Sequence, residues 1–219
     1  MKISYGITVH NEADELNKLL DVLDRNIDDE DEIVVCVDGN HPAVKKVLDS
    51  WAPDIVYQRK LDKDFAAQKN SVIEKSSGDY IFHIDADEYP NEILLQQLKQ
   101  ILEINDIDLI WIPRVNTVDG FTQEDVQRWS WRVNEKGWVN YPDYQARVFR
   151  RDSEIRWTRP LHEYITGCKT YSHLPPQEEL SLYHPKTKEK QESQNKFYMD
   201  NFTRDLLVRD GDKKKTLNR

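Results

Sequence analysis

Long hydrophobic runs are missing from this 219-residue sequence. No stretch approaches the roughly 18 apolar residues that a bilayer-spanning helix needs, so no integral membrane segment is expected. The opening MKISYGITVHNE turns polar too soon for a secretory signal. Cysteine is scarce. Cys36 and Cys168 make neither a disulfide framework nor a zinc pattern, and a reducing, cytoplasmic setting is the simplest expectation. No G-x-G-x-x-G follows the first apolar segment and no Walker lysine occurs, which argues against the standard dinucleotide and P-loop readings. No internal repeat is visible. The hydrophobic fraction is low at 38%, but six Trp and ten Tyr supply large surfaces for burial. The length suffices for one sizeable core or two small ones.

Charge, by contrast, is abundant and unevenly placed. The net charge of −9 hides an acidic half and a basic half: residues 1–110 carry 11 Lys and Arg against 24 Asp and Glu, so −13, and residues 111–219 carry 20 against 16, so +4. Different partners are expected for the two halves. Segment 128–160 concentrates eight Lys and Arg against four Asp and Glu, interleaved with Trp129, Trp131, Trp138, Tyr141, Tyr144, Phe149 and Trp157. Such rings stack on sugars or bases, or build a core. The overall negative charge argues against bulk nucleic-acid binding.

Periodicity alternates between strand and helix up to about residue 110. KISYGITVH, DEIVVCVDG, DIVYQRK, DYIFHIDAD and DLIWIPR read as strands. Helices are expected from Glu12 (with Asn11 as N-cap), over Pro42–Trp51, over Phe65–Lys75 and from Glu92 to Ile104. Short links between such elements predict an α/β fold, a mostly parallel sheet flanked by helices. Beyond residue 112 the pattern loosens into an aromatic-rich elaboration on the same sheet, with YQARVFRR as a strand. Gln194–Val208 reads as a helix and GDKKKTLNR as a disordered tail. The working division is therefore 1–110, 111–185 and 186–219.

Ligands of such sheets bind beyond the carboxyl ends of the strands. Those ends carry His10-Asn11-Glu12, Asp38-Gly39 and Asp85-Ala86-Asp87, so topology alone gathers them. Asp85 and Asp87 follow the run IFHI at a spacing of two, which puts both carboxylates on one side of a strand end. Hard oxygen ligands of this kind suit Mg2+ or Mn2+. A solvated acidic turn capping the next helix is the competing interpretation.

Four stretches together, ISYGITVHNEADEL, VCVDG, FAAQKNSVIEKSSGDYIFHIDADE and the later PLHE, resemble the family 2 glycosyltransferases of the Rossmann-like GT-A fold. The likeness is good over residues 1–90, looser over 111–185, and absent from about the last 30 residues. It implies a hexosyl- or pentosyltransferase using a nucleotide-diphosphate sugar, UDP-linked in the first instance, with Mn2+ or Mg2+ and inversion at the anomeric carbon. By position it assigns Thr8, His10, Asn11, Glu12, Asp38, Lys69 and Asp85 to the donor, and Asp87 with Asp85 to the metal. His184 in SLYHPK falls where relatives sometimes supply a metal-binding imidazole. The family's Glu-Asp pair is missing from its expected place except as Glu124-Asp125. Asp125 and Glu163 of PLHE are therefore the two candidate bases, with Glu163 favoured.

For the hydroxyl acceptor, Arg147, Arg151, Trp131 and Trp157 are the candidates. The charge contrast leans toward an anionic acceptor such as a glycan, a lipid-linked phosphate or a modified nucleic-acid base. Arg147 and Arg151 fall on one face of an alternating strand. Two other readings stay open: a non-catalytic module that binds a nucleotide sugar or carbohydrate, and a nucleotidyltransferase. YGITVHNEAD lacks the glycine-rich loop that the second would need.

Overall fold

The structure is a computed structural model and describes residues 1–207. The chain runs β1 (Ile3–Val9), α1 (Ala13–Asp24), β2 (Glu32–Val37), α2 (Pro42–Trp51), β3 (Ile55–Gln58), α3 (Phe65–Lys75), β4 (Tyr80–Asp85), β5 (Tyr89–Pro90), α4 (Glu92–Asn105), β6 (Leu109–Ile112), β7 (Arg114–Asp119), α5 (Gln123–Arg128), β8 (Gln145–Arg150), β9 (Arg156–Thr158), β10 (Tyr164–Thr166), β11 (Tyr171–His173), β12 (Leu182–Thr187), α6 (Lys188–Asn201) and α7 (Arg204–Leu207). No described helix is long and apolar enough to cross a membrane.

The central sheet has seven strands in the order β11-β6-β8-β4-β1-β2-β3. Six share one direction, and β8 alone is antiparallel, hydrogen-bonded between β4 and β6. The expected parallel sheet is therefore correct for β1 to β4. The fifth expected strand, β6, is not the neighbour of β4, because β8 separates them. Residues on both sides of position 110 thus share one sheet. A smaller sheet, β5-β12-β7, stands beyond the carboxyl edge, and β9 pairs with β10.

Burial follows the apolar spacing. Leu16, Leu19, Leu20 and Leu23 of α1, Val44 and Leu48 of α2, and Leu94, Leu98 and Leu102 of α4 pack in one cluster with Ile3, Tyr5, Ile7, Phe82 and Ile84 of the sheet. The other face is covered by α3, whose Val72 meets Val34 and Cys36, and by a cluster of Ile73, Ile81, Phe149 and Trp157. Gly6 lets α3 come close: a Cβ there would overlap Val72 Cγ1. We expect Gly6→Ala to cost about 1–3 kcal/mol through overpacking, read as a lower denaturation midpoint. An unchanged midpoint would show that α3 can move aside freely.

Two helix starts differ from expectation. The N-cap of α1 is Glu12 rather than Asn11. The Glu12 carboxylate instead accepts from the backbone N–H of His10 and of Asn11, at 2.9 and 3.0 Å, which fixes the turn leaving β1. The C-terminal helix begins at Lys188, not Gln194. Thr187 caps it by accepting from Lys190 N at 3.2 Å, and it breaks at Phe202 before the short α7. Val208 and the tail GDKKKTLNR lie outside the described residues.

Candidate active site

The register of the sheet builds the site. Thr8 pairs with Asp85 across β1 and β4, and Thr8 Oγ1 donates to Asp85 Oδ1 at 3.2 Å. From the antiparallel β8, Arg147 reaches back to the end of β4. Its Nη2 donates to Asp85 Oδ2 at 2.7 Å and to Glu88 Oε1 at 2.6 Å. Arg114, at the start of β7, donates to the same Glu88 oxygen at 2.6 Å and to Asp143 Oδ2 at 2.6 Å. The side chains of Arg147 and Glu88 are 3% and 0% exposed. Burial works against the Asp85 and Glu88 charges, but the Arg147 guanidinium prevails and holds both carboxyls below their usual range. Beneath them His83 is fully buried, with Nε2 3.5 Å from Asp85 Oδ1. Burial pushes its pKa down to about 4, so the ring is neutral at pH 7.

Asp87 faces the smaller sheet. Its Oδ2 lies 3.3 Å from His184 Nε2, 3.6 Å from Lys190 Nζ and 4.0 Å from Lys186 Nζ. The hydrogen-bond network fixes the imidazole tautomer. Asn116 Nδ2 donates to Asp143 Oδ2 at 2.9 Å, so Asn116 Oδ1 is the acceptor for His184 Nδ1–H at 2.7 Å. Burial and then Arg114 keep His184 below its ordinary pKa, hence neutral. Its Nε2 lone pair therefore faces a carboxylate oxygen. Two electron pairs pointed at one another at this distance fit a cation between them, and an imidazole oriented through its other nitrogen is the usual arrangement for a metal ligand. Among the described residues no three His, Cys, Asp or Glu side chains converge as a complete cage. A cation here would thus have two protein donors and keep open positions.

On the other side of Asp85, Lys69 from α3 is buried and lies 3.6 Å from Asp85 Oδ1 and 2.5 Å from Glu163 Oε1. Its ammonium sits 4.7 Å from the centre of the Trp157 ring. Burial opposes the charge of Glu163, yet Lys69 holds its carboxyl below the usual range. The loop that delivers Glu163 takes left-handed backbone at Arg159 (φ +75°) and His162 (φ +53°). Phe65 N donates to Pro160 O at 3.0 Å and ties that loop to the start of α3.

Asp38, after β2, accepts from Leu61 N at 2.9 Å, and its Oδ2 lies 3.1 Å from His10 Nδ1. An open cleft of about 340 Å3 lies beside it, lined by Gly39, Asn40, Gln58, Arg59 and Lys60. Asn11 is exposed, on the turn that Glu12 holds.

Of the remaining candidates, Asp125, Arg151 and Trp131 do not join this cluster, and Trp157 touches it through its ring face toward Lys69. Asp125 forms a capping box with Thr122 and an ion pair with Lys188 at 2.8 Å. Arg151 donates to Gly78 O at 2.7 Å, at the opposite edge of the sheet from Asp85, so Arg147 and Arg151 are not brought together. Trp157 is a core side chain, its backbone bracketed by Asn70 at 2.8 and 2.9 Å. Trp131 packs against Trp129 and Phe121. Arg114, Asn116, Asp143, Lys186 and Lys190 escaped sequence reasoning. The available signal was the spacing of two in Arg114-x-Asn116 and His184-x-Lys186, whose strands pair in register, His184 opposite Asn116.

Comparison with known proteins adds an independent line. Residues 4–174 match the sequence profile described as Glycosyl transferase family 2. The chain is 25% identical over 173 residues to the SPbeta prophage-derived glycosyltransferase SunS of Bacillus subtilis (strain 168), covering 77% of this chain and 39% of that protein. It thus spans about two fifths of the length of this relative. Among solved structures, S. aureus TarS 1-349 in complex with UDP is similar with a TM-score of 0.62 at 15% identity, over 84% of this chain and 60% of that one. The complex of TarS 1-349 with UDP-GlcNAc gives a TM-score of 0.59 at 15% identity, over 84% and 58%. These structural likenesses establish a shared fold.

Proposed function

Because the chain belongs to glycosyl transferase family 2, we propose that it moves a sugar from a UDP-linked donor to a hydroxyl acceptor, with inversion and with a divalent cation held by Asp87 and His184. The single observation that carries the cation is the neutral His184 Nε2 aimed at Asp87 Oδ2 at 3.3 Å. Mn2+ suits a mixed imidazole and carboxylate pair. When bound, it would act as a Lewis acid on the leaving diphosphate.

The nucleoside is assigned to the cleft beside Asp38 and His10. UDP is favoured because the similar S. aureus structures hold UDP and UDP-GlcNAc. Asp85 is not assigned to the cation. Thr8, Arg147 and Lys69 already hold it, and its remaining lone pairs suit a hydroxyl of the donor sugar. Glu163 is the base. As the C–O bond to the acceptor forms, the acceptor proton passes to the Glu163 carboxylate, and the bond from C1 to the phosphate oxygen breaks. Lys69 orients that carboxylate and links it to Asp85, so base and sugar contact are set against each other by one buried ammonium. Asp125, engaged with Thr122 and Lys188, is left as a helix cap.

The test is UDP release from UDP-sugars by purified protein with and without Mn2+. Absence of turnover with every donor, alongside intact folding, would favour a binding module. The pH profile is a second check. The base form of Glu163 is present above its depressed pKa and is lost only as pH falls through that value. We therefore expect kcat/KM to show no acid limb above the ordinary Glu value of about 4.3. An acid limb near neutrality would assign the base to a different group.

A further inference from the structure

α6 is an atypical packed helix. None of its side chains is buried, and the face it turns to the protein is polar. Lys190, Gln194 and Tyr198 recur every four residues and so line one side. Lys190 Nζ lies 2.9 Å from Glu15 Oε1 and 3.6 Å from Asp87 Oδ2. Gln194 Oε1 accepts from Lys186 Nζ at 2.7 Å, and Gln194 Nε2 donates to the Tyr198 hydroxyl at 3.0 Å. The far end of the helix is pinned near the Glu163 loop: Tyr198 and Phe202 pack on Phe65 at 6.3 and 6.1 Å, and Arg159 and His162 donate to the carbonyls of Leu206 and Leu207. The helix therefore runs from Asp87 toward Glu163 as a polar roof.

Of the two lysines at this corner, Lys190 is already paired with Glu15 and Asp87, whereas Lys186 has donors to spare. The Lys186 side chain is 7% exposed, and its carboxylate neighbour, Asp87, is 4.0 Å away, beyond hydrogen-bonding reach. Among the described residues its one hydrogen-bond acceptor is the neutral Gln194 amide, which leaves two of its three N–H donors for another acceptor. A buried cation provided with so little anionic company is suited to an anionic ligand. We infer that Lys186 and Lys190 are the protein's own binding site for the diphosphate of the donor, placed beside Asp87 by the β12–α6 corner. This rests on the UDP-sugar reading above. The lysines hold the phosphate oxygens before transfer and the charge of the leaving UDP afterwards, while Gln194 holds the Lys186 ammonium in place.

The experiment compares UDP with UMP by calorimetric titration of the full chain, first in EDTA and then in Mn2+. The wild type is expected to prefer UDP over UMP even in EDTA, because the lysines contact the second phosphate without a metal. Lys186→Met and Lys190→Met should each weaken UDP binding by roughly tenfold, the worth of one charge-assisted hydrogen bond, and leave UMP nearly unchanged. Lys190 is partly exposed, so its variant is informative even where Lys186→Met fails to fold. A UDP preference unchanged in Lys190→Met overturns the assignment, as does a wild type that prefers UDP only in Mn2+. No UDP binding in either condition overturns the UDP-sugar reading itself, and the inference with it.

Discussion

Arg147→Met is expected to destabilise the protein by about 3–5 kcal/mol, more than any other single change considered for this chain. Arg147 is buried and its guanidinium is shared by Asp85 and Glu88. Methionine fills much of the same volume but leaves Glu88 with Arg114 and the Asp85 N–H, and Asp85 with Lys69 and Thr8. The cost comes from a stranded buried charge, not from lost packing. At roughly 2–4 °C per kcal/mol for a chain of this size, the melting temperature should fall by roughly 6–20 °C. Adding Glu88→Gln should recover part of the loss, a coupling that a double-mutant cycle reads directly. A loss below about 1 kcal/mol would show that water reaches the pair and that Arg147 is not the keystone of the carboxylate cluster.

Glu163→Gln should lower kcat by about 10²–10⁴-fold, the usual worth of a positioned general base, with little change in the KM for donor. Glutamine can still accept from Lys69 through its amide oxygen, so the loop and the ammonium stay in place while the proton acceptor is lost. An equal rise in donor KM with kcat preserved would make Glu163 a donor-binding group. Unchanged kinetics would return the search for a base to Asp125, despite its capping box and its ion pair with Lys188.

Much of the first half was legible because each element there carries its own apolar period. α2 and α3 fall on the expected residues, and α4 ends one residue beyond the expected Ile104. Strand order was not legible past β4. Nothing in the alternation of YQARVFRR says that it enters the sheet antiparallel between β4 and β6, since that depends on the path of the long connection before it. The start of α6 was missed for a related reason. Its inner face is the polar row Lys190, Gln194 and Tyr198, and a search for apolar periodicity begins instead where Phe197 and Phe202 appear. In the site, Asp85 and Asp87 could be paired from their spacing. Their different fates could not, because Arg147 is 62 residues from Asp85 and His184 is 97 residues from Asp87. Such partners are set by register across strands, which local sequence does not display.

The most direct measurement is a titration of Mn2+ into the protein saturated with UDP, followed by calorimetry, for the wild type, Asp87→Asn and His184→Ala. One Mn2+ per wild-type chain is expected, with at least a roughly tenfold weaker affinity in each variant, turnover lost in Asp87→Asn and the fold intact by circular dichroism. Mn2+ binding and turnover in both variants equal to wild type would remove Asp87 and His184 as the cation's ligands.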